Sequence, residues 1–394
     1  MLSNLDVENV FVYIADAVRW DFAPDDIVNR GTAVKTVAAG IHSPTSIASI
    51  ISGTHPPQHN VAQFSDSLPE GVPNLLTIPS LTTAFVNSIN HVRIDADGTG
   101  LISETLRTDE SPPSVLSEID SPFVLVERGP GGHAPYGDFE GDGWEYFEAR
   151  SEASRSTLAT EHRTAIEKDT DWFRSRLADL ERRGLLDDTL VIYTSDHGEL
   201  IGEAGMLSHS PPIHRKHVHV PTVFIHPSLD RRLVTDRVLR HVDLAPTVAS
   251  SLDIEFPTAI EPIGRDLTTT GLAEHGATFH TVRKPTPFGT LDVSFDSVWD
   301  PTGGYVFPRT DRAQRLLFGL YQLARSPWKG YARRHALEYV TAQIRSEPTR
   351  GPAGVSIAEA ERSLRRIKDT KTSQQRPDAI EVDTDSLRQL GYIE

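Results

Sequence analysis

Three short apolar runs constrain this chain most: Val10-Phe11-Val12-Tyr13-Ile14-Ala15, Pro122-Phe123-Val124-Leu125-Val126 and Leu190-Val191-Ile192. Each is rich in β-branched or aromatic residues and lacks polar alternation, the pattern of a strand buried on both faces. Before the third run, Ser151 to Arg183 carries Leu158, Ala165, Trp172, Leu177 and Leu180 toward one side and stops at Gly184. That spacing predicts a long amphipathic helix with a glycine C-cap. Helix, short loop and buried strand together make an αβ unit of a doubly wound sheet.

In such a sheet, side chains at the carboxyl ends of the strands project into the crevice where ligands bind. The first run ends at Asp16, and the third continues through Tyr193-Thr194-Ser195 into Asp196-His197-Gly198-Glu199. A carboxylate beside an imidazole offers one hard and one borderline ligand, suiting Mn²⁺, Zn²⁺ or Mg²⁺ and, less well, Ca²⁺. Gly198 is expected to let the backbone bend away. For both aspartates the competing reading is a cap on the turn that follows.

Ser43-Pro44-Thr45-Ser46-Ile47-Ala48-Ser49-Ile50-Ile51-Ser52-Gly53 reads as a helix with Pro44 in its first turn, Ser43 as N-cap and Gly53 as terminator. A helix N-terminus is an anion site, so Ser43 is either a plain cap or a hydroxyl placed at a bound phosphate or sulfate. After the second run come a turn, Arg128-Gly129-Pro130-Gly131-Gly132, and His133-Ala134-Pro135-Tyr136. The turn lacks the Gly-Lys-Ser/Thr ending of a nucleotide-binding loop.

Composition removes several classes of function. The 394 residues include no cysteine, which excludes disulfides, thiolate metal sites and cysteine nucleophiles. A net charge of −16 argues against a general nucleic-acid binder. Basic residues are 32 Arg to 7 Lys, an acidic and arginine-biased balance like that of proteins from salt-loving archaea. No window of eighteen apolar residues occurs, and Met1-Leu2-Ser3-Asn4-Leu5-Asp6 lacks the layout of a secretory signal, so a soluble, cytoplasmic protein is expected.

These blocks, in this order, resemble the sulfatase and alkaline phosphatase superfamily over roughly residues 8 to 268. Asp16-Ala17-Val18-Arg19-Trp20-Asp21 looks like the first metal-binding turn, Ser43 to Pro56 the nucleophile block, and Ser195-Asp196-His197-Gly198-Glu199 the second metal block. His133 resembles the histidine that contacts the substrate oxyanion, and His209 falls near a substrate-binding lysine or histidine. His219-Val220-Pro221, Asp243-Leu244-Ala245-Pro246-Thr247, Gly264-Arg265-Asp266-Leu267 and the terminal Leu390-Gly391-Tyr392 are also similar. The resemblance implies an α/β fold: an alkaline-phosphatase-like three-layer αβα sandwich with a mostly parallel sheet and a smaller C-terminal α+β subdomain. The division expected is 1–270 for the catalytic domain and 271–394 for the subdomain.

It also implies one divalent metal ion held by Asp16, Ser43, Asp196 and His197. Ser43 is then the nucleophile, with His133, His209 and Arg19 binding the oxyanion or protonating the leaving group. For His133 the bland alternative is a turn histidine bonded to backbone; for His209 it is an exposed cluster with His214, His217 and His219. Thr45 and Ile47 stand where maturation to formylglycine needs proline and arginine, so Ser43 is expected to stay serine. Ala17 replaces a second aspartate common in sulfatases. These departures favour phosphate esters over sulfate esters, with a sulfatase proper as the alternative and a catalytically degenerate binding protein as the reading from another class. The expected partner is a small-molecule, glycan or lipid ester acted on by a hydrolase or transferase.

Toward the C-terminus, Ala277 to Pro308 reads as small antiparallel strands. Residues 309–334 gather arginines around Leu316, Leu317, Leu320 and Leu323, which reads either as a basic helix for a membrane surface or as a helix docked by its apolar stripe. Lys368 to Asp378 reads as a linker before a last short helix.

Overall fold

The computed structural model describes residues 2, 5–89, 101–256, 264–286, 289–345 and 347–370. The expected final helix and Leu390-Gly391-Tyr392 lie outside them. In chain order the strands are β1 (Asn9–Ala15), β2 (Thr32–Val37), β3 (Thr82–Asn87), β4 (Phe123–Gly129), β5 (Thr189–Thr194), β6 (Leu200–Ile201), β7 (Leu207–Ser208), β8 (His219–Ile225) and β9 (Arg232–Arg240). Seven of these form one sheet in the order β3-β4-β1-β5-β8-β2-β9. All pairs are parallel except those made by β8, which runs antiparallel to both neighbours.

Period-two alternation divides the core into two layers around this sheet. Val10, Val12 and Ile14 of β1, Val124 and Val126 of β4, and Leu190 and Ile192 of β5 pack with Ile47, Ile50 and Ile51 of the Ser43–Ser52 helix. Phe11 and Tyr13, Phe123 and Leu125, and Val191 and Tyr193 pack instead with Phe173, Leu177 and Leu180 of the Arg155–Arg183 helix. The result is the expected αβα sandwich. The long helix starts four residues later than the hydrophobic pattern implied, because the Ser154 side chain caps it through the Thr157 N–H.

A second, antiparallel sheet follows: β10 (Gly276–Thr286), β11 (Gly289–Trp299), β12 (Gly304–Pro308) and β13 (Thr349–Arg350). Its core is shared with the large sheet, since Val37 and Ile41 pack in one cluster with Phe295 and Trp299. The basic segment forms two helices, Arg312–Arg325 and Lys329–Arg334, separated by Ser326-Pro327-Trp328, because Pro327 cannot continue the first. Trp328, Tyr331 and Tyr339 dock against Tyr136, Tyr146 and Met206, while Leu316, Leu317 and Leu320 face outward. Among the described residues no helix is long and apolar enough to cross a membrane.

Candidate active site

Three adjacent parallel strands end at one level and supply the site. Ile14 of β1 is in register with Arg128 of β4 and Thr194 of β5, so Asp16 and Asp196 lie level at the carboxyl edge, with Arg128 two residues behind them on the same face. All three continue the alternation that sends Ile14, Val126 and Ile192 toward the Ser43–Ser52 helix. The expected turn at Arg128 is instead the end of a strand, since β4 runs on to Gly129. Asp16, Ser43, Asp196 and His197 are fully buried.

Ser43 is the first residue of its helix and not its N-cap; His42 holds that place in extended conformation. The difference puts the Ser43 hydroxyl among the strand-end groups, where Arg128 Nη2 donates to its Oγ at 3.0 Å and His197 Nε2 lies 3.3 Å away. The same Arg128 nitrogen donates to Asp16 Oδ2. Burial alone would push the Asp16 carboxyl up, but Arg128, with His133, His197 and His209, holds it below the ordinary carboxylate range.

The donor set fits a divalent cation. Asp16 Oδ1 and Asp196 Oδ2 are buried without a hydrogen-bond partner, an arrangement costly for carboxylates that lack a cation. One ligand atom each from Asp16, Asp196 and His197 lies within 4.8 Å of the others. His197 Nδ1 sits 3.1 Å from the Gly198 carbonyl and donates to it in the neutral ring, which leaves the Nε2 lone pair facing the carboxylates. Asp196 also performs the bland role, because its Oδ1 accepts from the Ala17 and His197 N–H groups at 3.1 and 2.9 Å.

Two glycines permit this packing. Gly131 has φ +53°, and a Cβ there would stand 2.0 Å from the Asp16 carbonyl oxygen. Gly198 is needed for close approach, not for bending: a Cβ would meet the Lys216 carbonyl oxygen at 2.0 Å, and its φ is not positive.

His209 reaches the site, its ring 4.4 Å from His197 and 5.7 Å from His133. Burial lowers its pKa, but Glu199, 3.5 Å from Nδ1, and the site aspartates raise it above the usual histidine value. The expected alternative for His209, an exposed histidine cluster, is absent: His217 and His219 are buried and His214 half-buried. His133 does bond backbone, with Nδ1 2.7 Å from the Ala134 carbonyl, and it still faces His209. Arg19 is placed differently. Its guanidinium is held by Asp21, Glu203 and the Glu199 carbonyl, so it buttresses the Glu199 loop.

A cleft of about 320 Å³ starts at His42 and His209 and runs between Trp144, His280, Lys284 and Tyr321. Sequence reasoning missed Arg128, His42, His280 and Lys284. Only Arg128 left a signal, as an ionisable residue ending an apolar run like Asp16.

The sulfatase family model matches residues 95–254. The low-salt glycan biosynthesis sulfotransferase Agl7 of Haloferax volcanii is 32% identical over 411 aligned positions, covering 100% of this chain and 99% of that protein. The chain belongs to the sulfatase family. Within the alkaline phosphatase superfamily, the fold of this sulfatase-family protein is similar to that of BT1596, a 2-O GAG sulfatase (TM-score 0.59, 14% identity, 91% of this chain and 100% of that one). It is likewise similar to the phosphonate monoester hydrolase of Agrobacterium radiobacter (TM-score 0.53, 14% identity, 88% and 100%). Membership of that family supports an ester hydrolase.

Proposed function

We propose that this protein moves the sulfuryl or phosphoryl group of a glycan ester through unmodified Ser43 as nucleophile. The observation that carries the reading is the Ser43 hydroxyl, held by Arg128 at 3.0 Å in the first turn of a helix and beside two unpartnered carboxylate oxygens. Asp16, Ser43, Asp196 and His197 would hold one divalent cation, which when bound lowers the hydroxyl pKa and neutralises the anion. Ser43 Oγ, its proton released to solvent, attacks sulfur or phosphorus in line, forming the seryl ester as the bond to the sugar oxygen breaks. Arg128 and the free N–H groups of the helix meet the equatorial oxygens. His209, whose hold on a proton Glu199 strengthens, is placed to give a proton to the departing oxygen and then to take one from the acceptor that cleaves the seryl ester. Water as acceptor gives hydrolysis and a sugar hydroxyl gives transfer; the full-length likeness to a sulfotransferase supports transfer of sulfate.

A phosphate ester is the second reading, favoured by Thr45 and Ile47, which take the place of the residues that formylglycine formation requires. A panel of sulfate and phosphate esters, with sugar acceptors and added divalent metals in high salt, separates the two. Intact-protein mass should show serine at position 43 and, on mixing with substrate, the added mass of one sulfuryl or phosphoryl group. Ser43→Ala that turns over normally would sink the nucleophile assignment.

Two partner assignments belong to the same proposal: a cytoplasmic small-molecule or glycan ester and no nucleic acid, and contact with an anionic membrane surface through residues 309–334. Among the described residues, six of the eight exposed large hydrophobics, Leu316, Leu317, Leu320, Leu337, Val340 and Ile344, lie on the packed helices Arg312–Arg325 and Ala336–Ile344. Arg312 and Arg315 flank them, and neither forms an ion pair among the described residues. A second copy would set these arginines against each other, whereas anionic head groups complement them.

A further inference from the structure

A second cavity, of about 450 Å³, lies at the other end of the Ser43–Ser52 helix, about 15 Å from Ser43 at the rise of ten helical residues. Its walls carry Arg237 and Arg240 of β9, Arg265, and Arg362 and Arg366 of the Ile357–Asp369 helix, with His55 beneath. Against five guanidiniums stand only two carboxylates among the described lining residues, Glu274 and Glu359. On a chain of net charge −16 this is a local reversal of sign.

Three of the arginines are occupied: Arg237 with Glu274, Arg240 with Asp243, and Arg265 with the carbonyls of Gly271 and Leu272. Arg362 and Arg366 form no ion pair among the described residues. They sit four positions apart on one helix face, a like-charge pairing that destabilises a helix unless an anion lies between or beside them. The second observation is independent of these arginines. His55 is 1% exposed, and neither of its ring nitrogens has a hydrogen-bond partner, although the ring lines the cavity. Buried polar atoms left this way are expensive unless a ligand or water meets them.

We propose that this groove is a second anion site, taking a small molecule whose tetrahedral phosphate or sulfate group meets Arg362, Arg366 and the His55 ring. Guanidiniums on the walls give charge and forked donors, and the imidazole supplies one directed N–H at the floor. The volume exceeds that of a bare ion and fits a ligand with a body beyond its charged group.

Calorimetric titration of the full chain with pyrophosphate, and separately with sulfate, tests the assignment. The chain should show two classes of site, of which Arg362→Ala/Arg366→Ala loses one or weakens it at least tenfold, with ester turnover at Ser43 unchanged. His55→Gln should weaken the same site, with an unaltered thermal midpoint showing that the fold is kept. An Arg362-dependent site that takes pyrophosphate and not sulfate assigns a phosphate ligand, and the reverse assigns sulfate. Identical titrations of the double variant and the natural chain, or displacement by chloride at equal concentration, would overturn the proposal.

Discussion

Arg128 Nη2 donates to Ser43 Oγ at 3.0 Å, joining the end of a central strand to the first turn of a helix. Because the same nitrogen also reaches Asp16, one guanidinium orders both the hydroxyl and a carboxylate of the candidate metal set. Arg128→Ala should reduce kcat by roughly 10²- to 10³-fold, the cost of losing one preorganised donor to a developing anion. Arg128→Lys should recover only part of that, because the lysine stem ends one atom short of the Nη2 position that meets both oxygens. Steady-state kinetics with equal activity in Arg128→Ala and the natural chain would remove Arg128 from the site.

Filling of the Asp16, Asp196 and His197 cluster by a cation predicts that chelator-treated protein loses activity and regains it with a divalent ion. The same loading should raise the thermal midpoint, since a ligand bound only to the native state stabilises it. Asp196→Asn should abolish that rise and leave the metal-free midpoint unchanged or higher, because the buried charge whose Oδ2 has no partner is gone. A midpoint insensitive to divalent ions in the natural chain counts against the assignment.

Asp169 is buried beneath the Gly129–Gly132 turn, where its Oδ1 accepts from the Tyr13 hydroxyl at 2.7 Å and the Gly131 N–H at 3.0 Å. Burial is the main cause of a pKa pushed up to about 7, against bonds from Gly131 and Tyr13 that pull it down. The native state therefore holds a proton that the unfolded chain releases near 4, so stability from this group falls as pH rises from about 4 to 7. Asp169→Asn should narrow the difference in unfolding free energy between pH 5 and pH 8. Denaturant titrations showing the same difference in both proteins would exclude the linkage.

The outward leucines on the basic helix predict sedimentation with anionic vesicles and not with neutral ones. Leu317→Glu/Leu320→Glu should abolish it while turnover of a soluble ester persists, since neither side chain lines the cleft. If the natural chain ignores vesicles and the variant changes its oligomeric state, the face joins two copies instead.

Much of the fold was legible because a strand buried on both faces has a readable pattern. Val10–Ala15 and Leu190–Ile192 became β1 and β5, and the residues just beyond them, Asp16, Asp196 and His197, converge as their strand-end positions required. The helix from Ser43 was also legible, but its first residue was not, since N-cap and N1 differ by one backbone conformation that Pro44 tolerates either way.

By itself, then, the sequence determined the buried parallel strands, the helix that carries Ser43 and the ligand types at the strand ends, all of which follow from local period and residue chemistry. Only the tertiary structure decided that Arg128 faces Ser43 while its neighbour Glu127 turns to Arg176 on the opposite layer. That choice depends on strand register and on which helix covers each face. It likewise decided that His209 joins His197, and that arginines from β9 and from the helix at Ile357–Asp369 share one groove. Contacts between segments far apart in the chain have no period to read, because each is fixed by how separately formed elements pack.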